Sequence, residues 1–200
     1  MTHFKKEQKE YLSKNFSDLK LPGQKIHSIV FEECSFKDCD FGEVAFIGCT
    51  FVECHFSKCN LSVSKVDFSR FTDTVFEECK IIGVNWTKAA WPNIALFSPL
   101  KFFKCIISDS TFFGLSLNEI VIEECKAHDV DFRGGNFCEA NFTFTDFANS
   151  LFNETNLTGA DFTEAVNYRI DINHNKIKGA KFSKHEAVSL LESLDIELID

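Results

Sequence analysis

Apolar side chains recur at every fifth position along this chain. The strictest stretch holds Phe31, Phe36, Phe41, Phe46, Phe51, Phe56 and Leu61. Two residues before each of these lies a small or apolar residue, in the order Ile29, Cys34, Cys39, Val44, Cys49, Cys54 and Cys59. A helix places apolar residues three or four positions apart and a strand places them two apart, so neither fits. The fixed period predicts a coil of short extended segments joined by turns, with two of every five side chains pointing inward and successive coils stacked.

The five-residue period covers most of the chain and predicts a repeat domain over residues 16–182. In its first half the apolar positions keep one register, and from Phe97 onwards they lie one residue later. We therefore expect one extra residue near positions 91–99, in a bulge or small loop. This segment is either an insertion without a function that the coil accommodates, or a recognition loop formed by Trp91, Pro92 and Asn93.

The two ends of the chain lie outside the repeat. Residues 1–15 are charged and rich in helix formers, which predicts a short helix or a mobile arm. Near the other end, Ser183 and Glu186 match a capping box, so a helix is expected from about residue 184 to residue 193. Together with the tail up to residue 200, this helix is predicted to cover the open end of the stack and to join two copies in a homodimer. The predicted dimer contact consists of Leu191, Leu194, Leu198 and Ile199.

Composition agrees with a stacked apolar core. Phe occurs 24 times and Tyr only twice, as expected if the central positions exclude a hydroxyl group that would need a hydrogen-bond partner. No apolar run reaches the roughly 18 residues that are needed to span a membrane, and the first residues lack the apolar region of a signal peptide. A cytoplasmic protein is therefore expected.

Cysteine is frequent, with nine residues. Eight occupy the small inward position of the repeat, namely Cys34, Cys39, Cys49, Cys54, Cys59, Cys79, Cys105 and Cys125. We expect them to be reduced and buried, because a spacing of five is not that of a C-x-x-C zinc site. Cys138 directly follows a central Phe and is expected at the surface. No metal, cofactor or enzymatic activity is predicted, since the chain has no P-loop, nucleophile elbow or H-E-x-x-H segment.

The individual units resemble those of a known family. Ala160–Glu164, Ala140–Phe144 and Cys34–Asp38 are similar to the A(D/N)LXX unit that defines the pentapeptide-repeat proteins. The resemblance implies an all-β fold, a right-handed quadrilateral β-helix with four units per coil and Phe or Leu in the interior.

Within this family the chain resembles the topoisomerase-protecting members of the Qnr and McbG type. Like them, it starts with a tract rich in Cys and Phe, interrupts the repeat, and ends in a helix with a short apolar tail. The resemblance implies a DNA-shaped acidic rod that binds DNA gyrase or topoisomerase IV and protects the enzyme from quinolones or peptide toxins. The long projecting loops of some Qnr proteins are missing here.

The charge pattern is compatible with such a rod. The net charge of −9 excludes a general nucleic-acid-binding surface, which needs clustered Lys and Arg. With four units per coil, residues 20 positions apart are stacked, and this predicts acidic columns. They are Glu33, Glu53 and Asp73; Asp109 and Asp129; and Glu119 and Glu139. Such columns either imitate the phosphates of DNA or form a solvated acidic surface that serves only solubility. The alternative function is a non-enzymatic scaffold that binds a different protein partner.

Overall fold

The computed structural model describes residues 7–92 and 99–194, together with Ile196 and Ile199. The chain winds into a right-handed quadrilateral β-helix of about eight turns, which confirms the predicted fold. Residues 20 positions apart pair in parallel on successive coils, as Phe31 does with Phe51. Each coil therefore consists of four five-residue units, one on each face of the rod.

Most of the strands have only three residues. They are β1 Glu10–Leu12, β2 Asn15–Ser17, β3 Lys25–His27, β4 Val30–Glu32, β5 Ser35–Lys37, β6 Ala45–Ile47, β7 Thr50–Val52, β8 His55–Ser57, β9 Arg70–Thr72, β10 Thr74–Glu77, β11 Leu100–Phe103, β12 Val121–Glu123, β13 Asp161–Phe162 and β14 Lys181–Phe182. Among the described residues, two 3₁₀ helices accompany them, η1 Trp86–Lys88 and η2 Glu186–Leu194.

The stacked strands define four faces. Face 1 holds β1, β4, β7 and β9, face 2 holds β2, β5, β8, β10, β11 and β12, and face 4 begins with β3 and β6. Face 3 is built from isolated bridges, such as those that join Lys20, Asp40 and Asn60. One corner residue separates each face from the next, and we number each corner after the face that it follows.

Aromatic rings fill the interior of the rod. Phe rings of successive coils are stacked, with centroids 4.6 Å apart for Phe36 and Phe56 and 4.9 Å apart for Phe56 and Phe76. Rings on neighbouring faces meet edge to face, as Phe51 and Phe56 do at 5.6 Å. Because a coil supplies one central side chain per face, a single coil has no core of its own. Stability therefore depends on the stacking of neighbouring coils.

The polar residue before each central position shapes the turn. Asn60 Oδ1 accepts the backbone N–H of Ser62 at 3.1 Å, and Asn141 Oδ1 accepts that of Thr143 at 3.0 Å. These Asx-type turns explain the preference for Asp or Asn at this position. The corner residue then takes a left-handed conformation, with a φ of 51° at Glu33.

The eight inward cysteines are buried free thiols, which confirms the prediction, and Cys138 is partly exposed. Burial raises the pKa of the Cys54 thiol to about 12 and also raises the pKa of Cys105. These two thiols are therefore protonated at neutral pH, which disfavours metal binding and disulfide exchange, since both need the thiolate. In the described part of the chain, no group of three His, Cys, Asp or Glu side chains is placed to hold a metal ion.

An inward thiol also makes hydrogen bonds to backbone N–H and C=O groups of its own and the neighbouring coil. Cys79 Sγ accepts the N–H of Cys59 at 3.3 Å and donates to the carbonyl of Phe56 at 3.4 Å. Ser69 uses its hydroxyl in the same way, accepting the N–H of Cys49 at 3.0 Å. Cys and Ser at the small inward position thus contribute hydrogen bonds that Ile29 and Val44, at the same position of other units, cannot make.

This role predicts different stabilities for two variants of Cys79. Cys79→Ala leaves the buried N–H of Cys59 without an acceptor and is expected to lower the free energy of unfolding by about 1–3 kcal/mol. Cys79→Ser retains the acceptor, as Ser69 does, and is expected to lose less than half of that amount. Urea unfolding of both variants measures the difference. Equal losses would show that Cys79 contributes by packing alone.

The interruption of the repeat is longer than predicted. Across it, paired residues lie 26 positions apart, as in Thr74 with Leu100 and Asn85 with Thr111. The coil therefore contains six extra residues, and the predicted single extra residue is wrong. Five of the six amount to one whole unit and leave the register unchanged, so only the sixth was visible in the sequence. Residues 93–98 lie outside the described residues.

The rod also starts earlier than residue 16, the predicted boundary. Tyr11 lies five residues before Phe16 and is buried, and β1 pairs with β4. Part of the segment predicted as a helix or mobile arm therefore belongs to the first coil, because Tyr11 continues the apolar period. Residues 1–6 lie outside the described residues.

The C-terminal helix is present but begins differently from the prediction. The Oγ atom of Ser183 accepts the N–H of Glu164 at 2.8 Å and donates to the Glu164 carboxylate at 2.9 Å. Since this side chain bonds to the preceding coil, the predicted capping box with Glu186 is wrong. Ser183 instead holds the start of the C-terminal segment against the rod.

Candidate partner-binding surface

Acidic side chains are concentrated at the corners of the rod. Among the described residues, 23 non-glycine residues have a positive φ, and 14 of these are Asp or Glu whereas two are Lys. Asp tolerates the left-handed conformation better than most residues, but Glu does not share this tolerance. Nine of the 14 are Glu, so the backbone conformation alone does not account for the charge.

Corner 1, between faces 1 and 2, carries the longest acidic series. Along the rod it holds Ser13, Glu33, Glu53, Asp73, Pro99, Glu119, Glu139, Gly159 and Gly179. The sequence predicted two separate groups of acids here, and the 26-residue spacing places both on one corner. At about 4.8 Å per coil, the five acids cover about 24 Å.

Lysines neutralise corner 2 more than they neutralise corner 1. On corner 2, Lys58 lies 3.7 Å from Glu78, and Lys104 lies 3.7 Å from Glu124. On corner 1, the one ion pair among the described residues joins Asp73 to Lys101 at 2.6 Å.

The remaining acids of corner 1 have no lysine or arginine partner within the described ranges. Glu33 accepts a hydrogen bond from the Ser13 hydroxyl at 2.6 Å. Corner 1 therefore presents four carboxylates, Glu33, Glu53, Glu119 and Glu139, whose charge no Lys or Arg in contact balances.

Gly159 makes room for the last of these carboxylates. The carboxylate of Glu139 lies over the Cα of Gly159, where a Cβ atom would overlap it. Gly159 also has a φ of 72°, which glycine adopts without strain. A larger residue here would displace the Glu139 side chain from its position along the corner.

The described residues just before the insertion lie on face 1, next to this acidic series. The Trp91 ring is half-buried and continues the interior stack, 6.2 Å from the ring of Phe71, and its Nε1 donates to the carbonyl of Trp86 at 2.9 Å. Trp91 thus anchors the base of the insertion. Pro92 is exposed, and the predicted loop residue Asn93 lies outside the described residues.

The predicted acidic column of Asp109 and Asp129 does not lie on corner 1. Asp109 and Asp129 are stacked on corner 3, diagonally opposite corner 1, together with Glu43 further along the rod. Val63 and Gly83 separate Glu43 from the two aspartates. One flat partner surface could not contact both corners, so these acids do not extend the series of corner 1.

The residues of the predicted dimer contact lie within η2 or after it. Leu191 is half-buried, whereas Leu194 and Ile199 are exposed. Leu198 lies outside the described residues. The sequence did not predict Val63, Phe68 and Phe144, three exposed apolar corner residues; their departure from the polar corner pattern was the available signal.

A comparison with protein families identifies the fold family. The profile described as "Pentapeptide repeat region" matches residues 29–97 and 84–162, which together make up more than half of the chain. The chain belongs to the pentapeptide repeat family. The comparison of this pentapeptide-repeat protein with curated proteins finds no match.

Solved structures with a similar fold include those of QnrB1, described as a plasmid-mediated fluoroquinolone resistance protein. Two trypsin-treated forms give TM-scores of 0.63 and 0.66 at 20% and 21% identity, covering 96% and 92% of this pentapeptide-repeat protein and 100% of each QnrB1 chain. Full-length QnrB1 gives a TM-score of 0.50 at 20% identity, covering 94% of this chain and 100% of its own. These likenesses concern the fold. In the described ranges, no helix has the length and apolar character to cross a membrane.

Proposed function

We propose that this pentapeptide-repeat protein binds a type II topoisomerase, DNA gyrase or topoisomerase IV, by presenting corner 1 in place of DNA. The bound rod protects the enzyme from quinolones or peptide toxins. It acts in the cytoplasm by binding and not by catalysis.

The acidic series of corner 1 carries this proposal. Its carboxylates recur at about 4.8 Å, comparable with the roughly 3.4 Å rise per phosphate along one DNA strand. A basic groove that binds DNA gains affinity from phosphate contacts, and the same groove would accept a rod with an acidic ridge. The similarity in fold to QnrB1 supports a topoisomerase as the partner that contains this basic groove.

A supercoiling assay of gyrase, or a relaxation assay of topoisomerase IV, in the presence of a quinolone tests the proposed protection. Micromolar protein is expected to raise the quinolone concentration that halves gyrase or topoisomerase IV activity, because the rod displaces the DNA on which drug action depends. An unchanged quinolone response, with no effect on supercoiling itself, would reject the proposal. The rod would then be a scaffold that presents its surface to a different protein partner.

We further propose that two copies associate through the C-terminal contact. Leu194 and Ile199 are exposed apolar residues at the end of the chain, and covering them in a symmetric contact would remove them from water. Leu194→Asp with Ile199→Asp is expected to halve the mass measured by light scattering. A mass equal to that of the unsubstituted chain would contradict the contact.

A further inference from the structure

Exposed apolar residues of the rod are concentrated on one face. Six large apolar side chains of the described β-helix are at least 46% exposed: Leu12, Val63, Phe68, Phe113, Phe144 and Leu151. Four of them, Val63, Phe68, Phe113 and Leu151, lie on face 4 or on the corners that flank it. Face 4 is thus the most apolar side of the described rod, and exposed apolar residues gathered on one side are typical of an interaction site.

Two of these residues also occupy unfavourable backbone conformations. Val63 and Phe68 have φ values of 57° and 58° at successive corners, and their side chains are 56% and 75% exposed. A β-branched or bulky residue is strained at positive φ. Most other corners of the described rod hold glycine or a polar residue, so the free monomer gains nothing evident from Val63 and Phe68. A partner that covers Phe68 would offset both its strain and its exposure.

The charges on face 4 are arranged so that this face complements itself. One coil presents Lys65 and Asp67 on either side of the face, and neither has an ion-pair partner among the described residues. Three coils further along, Asp131 and Arg133 occupy the same two sides with the opposite order of signs. Between these two coils lie Asn85 and Thr111, which are uncharged.

Turning a second copy end over end brings opposite charges together. With the two-fold axis midway between the coils of Asn85 and Thr111, Lys65 faces Asp131 of the second copy. Asp67 then faces Arg133, and each of these pairs occurs twice, as two-fold symmetry requires. The same rotation places Phe68 opposite Gly134, a corner without a side chain.

We propose that face 4 is a self-association surface, on which two copies of this chain pack face to face and antiparallel about this two-fold axis. Within one chain, Arg133 already lies 2.8 Å from Asp131 and 5.8 Å from the centre of the Phe113 ring. In the pair, Lys65 and Asp67 of the second copy complete a four-charge cluster beside that ring. This contact is separate from corner 1 and from η2, so it does not depend on the proposed topoisomerase binding.

Cross-linking tests the register of the two copies. Lys65→Cys with Asp131→Cys, in a Cys138→Ser chain, is expected to give a covalent dimer under mild oxidation. Within one chain these positions are three coils apart, about 14 Å, which exceeds the 7 Å limit for a disulfide. The control, Lys65→Cys with Leu151→Cys, is one coil out of register and is expected to give at least tenfold less dimer. Absence of the dimer, or equal yields from the two pairs, would overturn the proposal.

Charge reversal provides a second readout, in a chain carrying Leu194→Asp and Ile199→Asp so that the C-terminal contact is removed. Asp67→Arg places two arginines opposite each other and is expected to weaken association at least tenfold by sedimentation velocity. Adding Arg133→Asp restores opposite charges and is expected to recover most of the lost affinity. A double variant that associates no more tightly than Asp67→Arg alone would refute the antiparallel arrangement.

Discussion

Replacing Glu33 and Glu53 by Lys is expected to abolish protection of the topoisomerase. Both carboxylates lie on corner 1 and have no Lys or Arg in contact among the described residues, so each is available to the basic groove of a partner. Reversal replaces two attractions by two repulsions, and like charges across an interface cost several kcal/mol. We expect the dissociation constant to rise by roughly 100-fold or more, a change of about 2.8 kcal/mol.

The double variant should remain folded. Lys58 and Lys104 occupy corner positions with a φ of 54°, so lysine is accepted in the conformation that Glu33 and Glu53 adopt. An unchanged circular dichroism spectrum checks this point. Loss of protection together with loss of the fold would not count in favour of the proposal.

The matched control reverses two stacked acids on the opposite corner, Asp109→Lys with Asp129→Lys. It changes the net charge by the same amount and also spans neighbouring coils. Protection should survive in this control, because corner 3 faces away from a partner bound at corner 1. Equal losses in both variants would mean that total charge, and not the series on corner 1, determines binding.

The architecture followed from the sequence because one side chain per unit determines it. Every fifth position holds an apolar residue that must be buried, and the resemblance of units such as Ala160–Glu164 to pentapeptide repeats implied a quadrilateral coil. Reduced inward cysteines were predictable for the same reason. Their hydrogen bonds were not, since the sequence does not show that Cys79 and Ser69 meet equivalent backbone groups.

The candidate site was less predictable, because a five-residue period does not reveal insertions of whole units. The register shift before Phe97 indicated one extra residue, whereas the coil contains six. Stacking by 20 positions was therefore correct on either side of the insertion and incorrect across it. As a result, Asp73 and Glu119 were assigned to separate columns, although they lie on one corner.

The self-complementary charges of face 4 were hidden in the same way. Lys65 and Asp131 are separated by the insertion, and their positions on one face become apparent only when the 26-residue spacing is known. The capping box at Ser183 failed for another reason. Its hydroxyl finds Glu164 on a neighbouring coil, and a local motif contains no information about such a contact.

The central claim is that corner 1 and DNA compete for the same groove, and it predicts mutually exclusive binding. In fluorescence anisotropy with labelled protein and purified gyrase, unlabelled duplex DNA is expected to displace the rod completely. Affinity should also fall roughly tenfold or more between 50 and 200 mM salt. A smaller dependence than that of DNA is expected, because five carboxylates replace a longer run of phosphates.

Displacement by DNA and the salt dependence of the affinity are measured in one titration series. Both are compared with the values for the Glu33→Lys, Glu53→Lys variant. The account predicts full displacement by DNA and a salt dependence that weakens in this variant, as each ionic contact is lost. A ternary complex of gyrase, DNA and the rod, with an affinity that does not change with salt, would contradict it.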